Sequence, residues 1–189
     1  MHGSSNIKHL IHRIARDDEK AFVEFYELYY NTIYRFTSYF ISNAELIQEI
    51  VSDVFFNVWK SRKNLLNVEN IEAYLYSSTR NRALYYIKQK NFGTKNIEIN
   101  EIPYSVHIDD QTPEYIALNK ELEVKIQHSI SSLPDKCRII FLMAREEGLK
   151  YKEIARILSI SEKTVNAQMV IALKKLVKII NEYLAVVLF

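Results

Sequence analysis

The chain reads as an all-α protein: two small helical domains joined by a linker, the C-terminal one a helix-turn-helix. Three observations predict this. Only three Gly and three Pro occur in 189 residues, too few for the turns that hairpins and barrels need. Apolar residues recur at steps of three and four through most of the chain. Periodicity fails once at length, between Phe92 and Pro113, where Gly93, Pro103, Pro113 and an acidic cluster gather. A structureless loop that long is unusual inside one compact domain, so it divides the chain in two.

The elements follow in order. Residues 1–20 are an N-terminal extension. Phe22, Phe25, Tyr26, Tyr29, Ile33, Phe36 and Phe40 form one helical face within Ala21 to Ile41. Asn43 can cap the next helix, whose wide apolar stripe runs from Ile47 to Trp59. The basic stretch Lys60 to Asn70 breaks the pattern, and a further helix spans Ile71 to Lys90. Residues 21–90 are thus one domain and 91–118 the acidic linker. A helix over Glu114 to Ser131 opens the second domain, residues 119–183. Pro134 begins the next helix, where its missing N–H costs nothing, and Gly148 caps its end. Helices over Tyr151 to Leu158 and from Ser161 to about Tyr183 follow, and the apolar tail 184–189 packs against the last one.

Composition narrows the function. A lone Cys137 excludes an internal disulfide and a zinc site built on paired cysteines, and fits a reducing compartment. The five His residues show no metal-binding spacing, so neither a metal nor another cofactor is expected. Met1 to Leu10 is polar, and no run approaches the roughly 20 apolar residues of a membrane span, so the expected location is cytoplasmic without membrane insertion. Net charge is only +2, but its distribution is uneven. Lys60 to Lys90 carries seven basic residues against two acids, and Gly148 to Glu182 carries seven against three. The segment Asn91 to Leu118 between them has one Lys and five acids. Two basic segments suggest two contacts with a polyanion.

The second basic segment holds the helix-turn-helix. Ile154, Leu158, Ile160 and Val165 take its buried positions, and Ala155 sits where the helices approach most closely. Ser159 occupies the turn, where a left-handed backbone favours Gly. Ser161 is placed to cap the second helix. Glu162, Lys163, Thr164, Asn166, Ala167 and Gln168, followed by Lys174 and Lys175, then form its exposed face, from which Asn, Gln and Lys can reach base edges in the major groove. Lys150, Lys152 and Arg156 would grip phosphates and set register.

The first basic segment interleaves aromatics with bases: Tyr74, Tyr76, Tyr85 and Tyr86 alternate with Arg80, Arg82 and Lys88. Rings can stack on unpaired bases while cations hold the backbone, a chemistry for opened strands rather than intact duplex. Leu75, Thr79, Leu84 and Ile87 supply the core side of the same helix.

Three blocks then resemble bacterial RNA polymerase sigma factors of the extracytoplasmic-function group. Ala44 to Trp59, ending Ser-Asp-Val-Phe-Phe-Asn-Val-Trp, is similar to that family's polymerase-binding helix. Ile71 to Lys90 is similar to its promoter-melting helix, and Leu133 through Leu176 to its C-terminal domain. The resemblance implies a protein that is not an enzyme, that docks on core RNA polymerase through Glu49, Asp53, Phe56 and Trp59, and that acts as a monomer. It implies minus-ten recognition and melting by Arg62, Lys63, Asn70, Tyr74, Ser77, Arg80, Asn81, Tyr85 and Lys88. The C-terminal helix would read the minus-thirty-five element of promoter DNA, and an anti-sigma factor would hold the protein inactive. Two departures stand out. Ser52 replaces a customary Gln, and Gln168, Ile171 and Leu173 stand where many members carry Arg. A stand-alone helix-turn-helix activator is the alternative; it leaves the Tyr/Arg helix unexplained. An enzyme with an appended DNA-binding domain lacks any phosphate loop, metal spacing or nucleophile motif.

Overall fold

The computed structural model describes residues 4–91 and 124–187. They fold as two units, one in each half of the chain, and every described element is helical. The expected linker, residues 91–118, lies outside the described residues but for its first, and so do the side chains of the apolar tail.

In the first unit, α1 (Ser4–Ile14), α2 (Glu19–Ser38), α3 (Ala44–Lys60) and α4 (Ile71–Asn91) surround one core. A short 3-10 segment, Arg62–Asn67, joins α3 to α4. The expected N-terminal extension is therefore structured: α1 buries Leu10, Ile11 and Ile14 against α2 and the 3-10 segment. Asp17 turns the chain with φ +67°, and Asp18 caps α2 by accepting from the Ala21 N–H at 3.0 Å. Asn43 caps α3 through the Leu46 N–H at 2.8 Å, as the sequence predicts. Such caps contribute about 1 kcal/mol each.

Aromatic contacts fix how α2 meets α3. Phe22 lies 5.0 Å from Trp59 and Tyr26 4.7 Å from Phe55, centroid to centroid. Each step of four along α2 answers a step of four backwards along α3, so the two helices run antiparallel. Their shared core includes Phe25, Ile33, Phe36, Ile50 and Val51. From α4 come Leu75, Tyr76, Thr79 and Ala83, while Leu84 and Ile87 are only half-buried. Tyr76 thus belongs to the core, its ring 4.6 Å from that of Phe36, and is unavailable for stacking on bases. Thr79 is tolerated inside because its hydroxyl donates to the Leu75 carbonyl at 2.8 Å.

The second unit holds α5 (residues 124–131), α6 (Asp135–Arg145), α7 (Tyr151–Leu158) and α8 (Glu162–Val187). Residues 114–123 of the expected first helix lie outside the described residues. Pro134 stands at the start of α6, and Gly148 follows its end with φ +63°. No atom would meet a Cβ at Gly148 within 4 Å, so the backbone angle, not space, favours Gly there. The core gathers Ile140, Met143, Ile154, Ile157, Val165, Met169 and Ala172.

Candidate nucleic-acid interface

In α7 and α8 the turn forms as its residues require. Ser159 adopts the left-handed conformation, φ 54° and ψ 46°, and ends α7. The Ser161 hydroxyl accepts from the Thr164 N–H at 3.0 Å and caps α8. Glu153 reaches back to accept from the Lys150 N–H at 2.8 Å, fixing the start of α7. Ile154, Ala155 and Val165 are buried as expected, but Leu158 and Ile160 are only half-buried. Ile157 takes the remaining inner position, because α7 turns a face spaced 154, 155 and 157 toward α8.

Lys150, Lys152 and Arg156 are exposed along α7. Glu162, Lys163, Thr164, Asn166, Ala167 and Lys174 are exposed on α8. Gln168 departs from the expected exposed face. It is half-buried, and its backbone carbonyl accepts from the Cys137 thiol at 3.2 Å. Burial pushes that thiol's pKa up. Lys175, expected on the same exposed face, instead donates to the Ser132 carbonyl at 2.7 Å, while Lys163, Lys174 and Lys178 are exposed on α8.

In the first unit, Tyr74, Ser77, Asn81, Tyr85 and Lys88 follow one another at steps of three and four, so they share one stripe of α4. Tyr85 is 49% exposed, enough ring to stack on a base. Tyr74, Asn81 and Tyr85 also line a groove of about 280 Å³ between α3 and α4, with Val54, Asn57, Ser78 and Arg82. Arg80 stands aside from this groove and donates to Asn81 Oδ1 at 3.3 Å. Lys63 is exposed on the 3-10 segment.

Two expected nucleic-acid contacts have internal work. Asn70 caps α4 by accepting from the Ala73 N–H at 2.9 Å. Arg62 is held by Asp17, donates to the Trp59 carbonyl at 2.9 Å, and lies 4.5 Å over the Trp59 ring. The four residues expected to meet polymerase also differ among themselves. Phe56 is 63% exposed, whereas Trp59 is sandwiched between Phe22 and Arg62. Asp53 accepts from Arg82 at 2.8 and 2.5 Å and from the Tyr86 hydroxyl at 2.8 Å; Glu49 accepts from the same hydroxyl at 2.8 Å. Arg82 sits 5.1 Å from both the Tyr85 and Tyr86 rings. Burial, then the Glu49 and Asp53 carboxylates, raise the Tyr86 pKa far above the ordinary phenol range. Sequence reasoning did not single out Asn57 or Ser78, nor pair Arg82 with Asp53, 29 residues away. Arg82 already stood out as a base between tyrosines, but only the packing of α3 on α4 identifies its partner.

Among the described residues there is no cluster of His, Cys, Asp and Glu able to hold a metal ion, and no helix is long and apolar enough to cross a membrane. Residues 25–92 match the family model described as Sigma-70 region 2, and residues 123–176 match Sigma-70, region 4. The ECF RNA polymerase sigma-E factor of Haemophilus influenzae is 25% identical over 165 residues, covering 84% of this chain and 87% of that protein. The ECF RNA polymerase sigma factor SigW of Bacillus subtilis is 24% identical over 172 residues, covering 86% and 90%. A sigma factor RpoE, solved with the anti-sigma factor NepR from Bartonella quintana, shares the fold with a TM-score of 0.62 at 14% identity, over 86% of this chain and 98% of that one. Helical units matched in this order define the class as a sigma-type transcription initiation factor. The chain belongs to the sigma-70 family, in its extracytoplasmic-function group.

Proposed function

We propose that this chain is the promoter-specificity subunit of a bacterial RNA polymerase, a binding protein rather than an enzyme. The observation that carries this reading is the division of DNA-binding chemistry between two units. The stripe of Tyr74, Asn81, Tyr85 and Lys88 suits opened strands, and the exposed start of α8 suits a major groove. In this reading α8 recognises the minus-thirty-five element through Lys163, Asn166, Ala167 and Gln168. Lys150, Lys152 and Arg156 hold flanking phosphates. The α4 stripe with Arg80, Ser77 and the loop from Arg62 to Asn70 recognises and melts the minus-ten element. Asn70 and Arg62 act there by shaping the loop, since their side chains are occupied.

Core polymerase docks on α3. Phe56 offers the free apolar contact, while Glu49 and Asp53 meet their partner from within the Arg82–Tyr86 network. The chain works in the cytoplasm as one copy per polymerase, and an anti-sigma protein covers it when transcription is off. The neighbour solved with NepR supports that last point by analogy of fold.

The test is transcription in vitro with core polymerase free of any sigma factor, on a genomic promoter library. Specific transcripts that depend on this chain are expected. A chain that binds duplex DNA specifically and yields no such transcript favours the stand-alone activator.

A further inference from the structure

We infer that α1 is a third DNA-contacting element, a basic rail for the phosphate backbone of duplex flanking the melted segment. The inference rests on the promoter reading above, but α1 lies outside both matched segments, which begin at residue 25 and residue 123. No acid occurs before Asp17, while Lys8, His9, His12, Arg13 and Arg16 all do. The buried side of α1 is Leu10, Ile11 and Ile14. On a helical projection His9 and His12 fall opposite that side and Lys8 on its flank, Arg16 lies in the turn that follows, and all four are exposed. Among the described residues none of the four has an ion-pair partner. Lys8 and His12 stand one step of four apart, about 6 Å of rise, and Arg16 follows in the turn just past the end of α1. That rise is roughly two nucleotides along one strand of a duplex, where each strand places a charge every 3.4 Å.

The acids at the corner are already neutralised. Asp18 is bound by Arg13 at 2.8 Å and caps α2, and Asp17 is bound by Arg62. The second of these pairs spans 45 residues and fastens the end of α1 to the start of the 3-10 segment, on which α1 also packs. Exposed Lys60 and Lys63 flank that attachment. So α1 extends a basic surface that begins beside the minus-ten loop, with Asp17 and Asp18 each paired to an arginine. Duplex phosphate is the ligand such a row fits, because it repeats negative charge along a line.

The experiment measures promoter-complex affinity for the full chain with core polymerase across salt concentrations. Lys8→Gln/Arg16→Gln is compared with wild type and with Lys8→Arg/Arg16→Lys. Both sites are exposed, so the fold should be retained, which circular dichroism checks. Removing two phosphate contacts should make the slope of log affinity against log salt shallower by about 2. Between 50 and 200 mM salt, wild type should lose about ten-fold more affinity than the double variant. The charge-preserving exchange should restore the slope, and shortening the DNA past the contacted flank should abolish the difference. Polymerase affinity should stay constant. An unchanged slope beside a normal wild-type complex overturns the α1 surface alone. A drop in polymerase affinity at unchanged slope overturns it too, making α1 a protein contact. If wild type forms no promoter complex, the promoter reading itself falls and α1 with it.

Discussion

Single side chains set how α8 can read DNA. Asn166 projects from the first exposed turns, whereas Gln168 is half-buried and anchored through its carbonyl to Cys137. A bidentate Asn–adenine pair discriminates against the wrong base by about 1–3 kcal/mol. Asn166→Ala should therefore relax preference at one upstream base pair by up to that amount, and Gln168→Ala should change it less. Both should leave polymerase affinity intact. Selection from a randomised upstream element checks this; a larger effect at Gln168 would mean that α8 turns a different face to the groove. Much of this site was legible in the sequence, because caps and turns are local. Ser161, Ser159 and Gly148 act through their own backbone neighbourhoods, and the chain order alone places them. Gln168 was misplaced because its exposure depends on α6, 31 residues away at Cys137.

Among elements, the joint between α3 and α4 would link docking to melting in the proposed reading. Tyr86 donates to two carboxylates while Arg82 bridges to one of them, so α3 and α4 share one polar network. Hydrogen bonds to charged groups contribute about 1.5–3 kcal/mol when buried. Tyr86 is only half-buried, and screening reduces that to about 1 kcal/mol for Tyr86→Phe. The sign of its pH dependence follows from the raised phenol pKa. The stabilisation is fully present below pH 10 and is lost as pH rises through the raised value. The deficit of Tyr86→Phe in urea unfolding should thus be constant from pH 7 to 9. A deficit that shrinks across that range would show that the phenol is not held neutral by these carboxylates. The positions of α2 and α3 were readable from apolar spacing, since each keeps one dominant inner face. The division of labour on α4 was not: Tyr76 and Tyr74 look alike in sequence, and only Phe36 from α2 takes one of them into the core.

At the scale of the whole molecule, the proposed reading puts the strand-opening stripe of α4 in the first unit and the base-reading helix α8 in the second. Neither unit alone accounts for promoter selection. The reading helix carries Lys163 and Lys174 outward but no arginine, so free DNA binding should be weak and should depend on polymerase to bring both elements to one promoter. The two-unit organisation was visible in sequence through the break in periodicity and the acidic stretch. What charge pattern could not convey is that the first residues form a helix of the first unit; Ile7, Leu10, Ile11 and Ile14 stand at helical spacing, and Leu10, Ile11 and Ile14 are buried. The most direct measurement places wild type and Arg80→Ala/Tyr85→Ala on one promoter with core polymerase. It reads upstream protection by footprinting and strand opening by permanganate reactivity of unpaired thymines. The division of tasks predicts that the double variant keeps upstream protection and loses most thymine reactivity. Equal loss of both signals, or full reactivity in the variant, would contradict it.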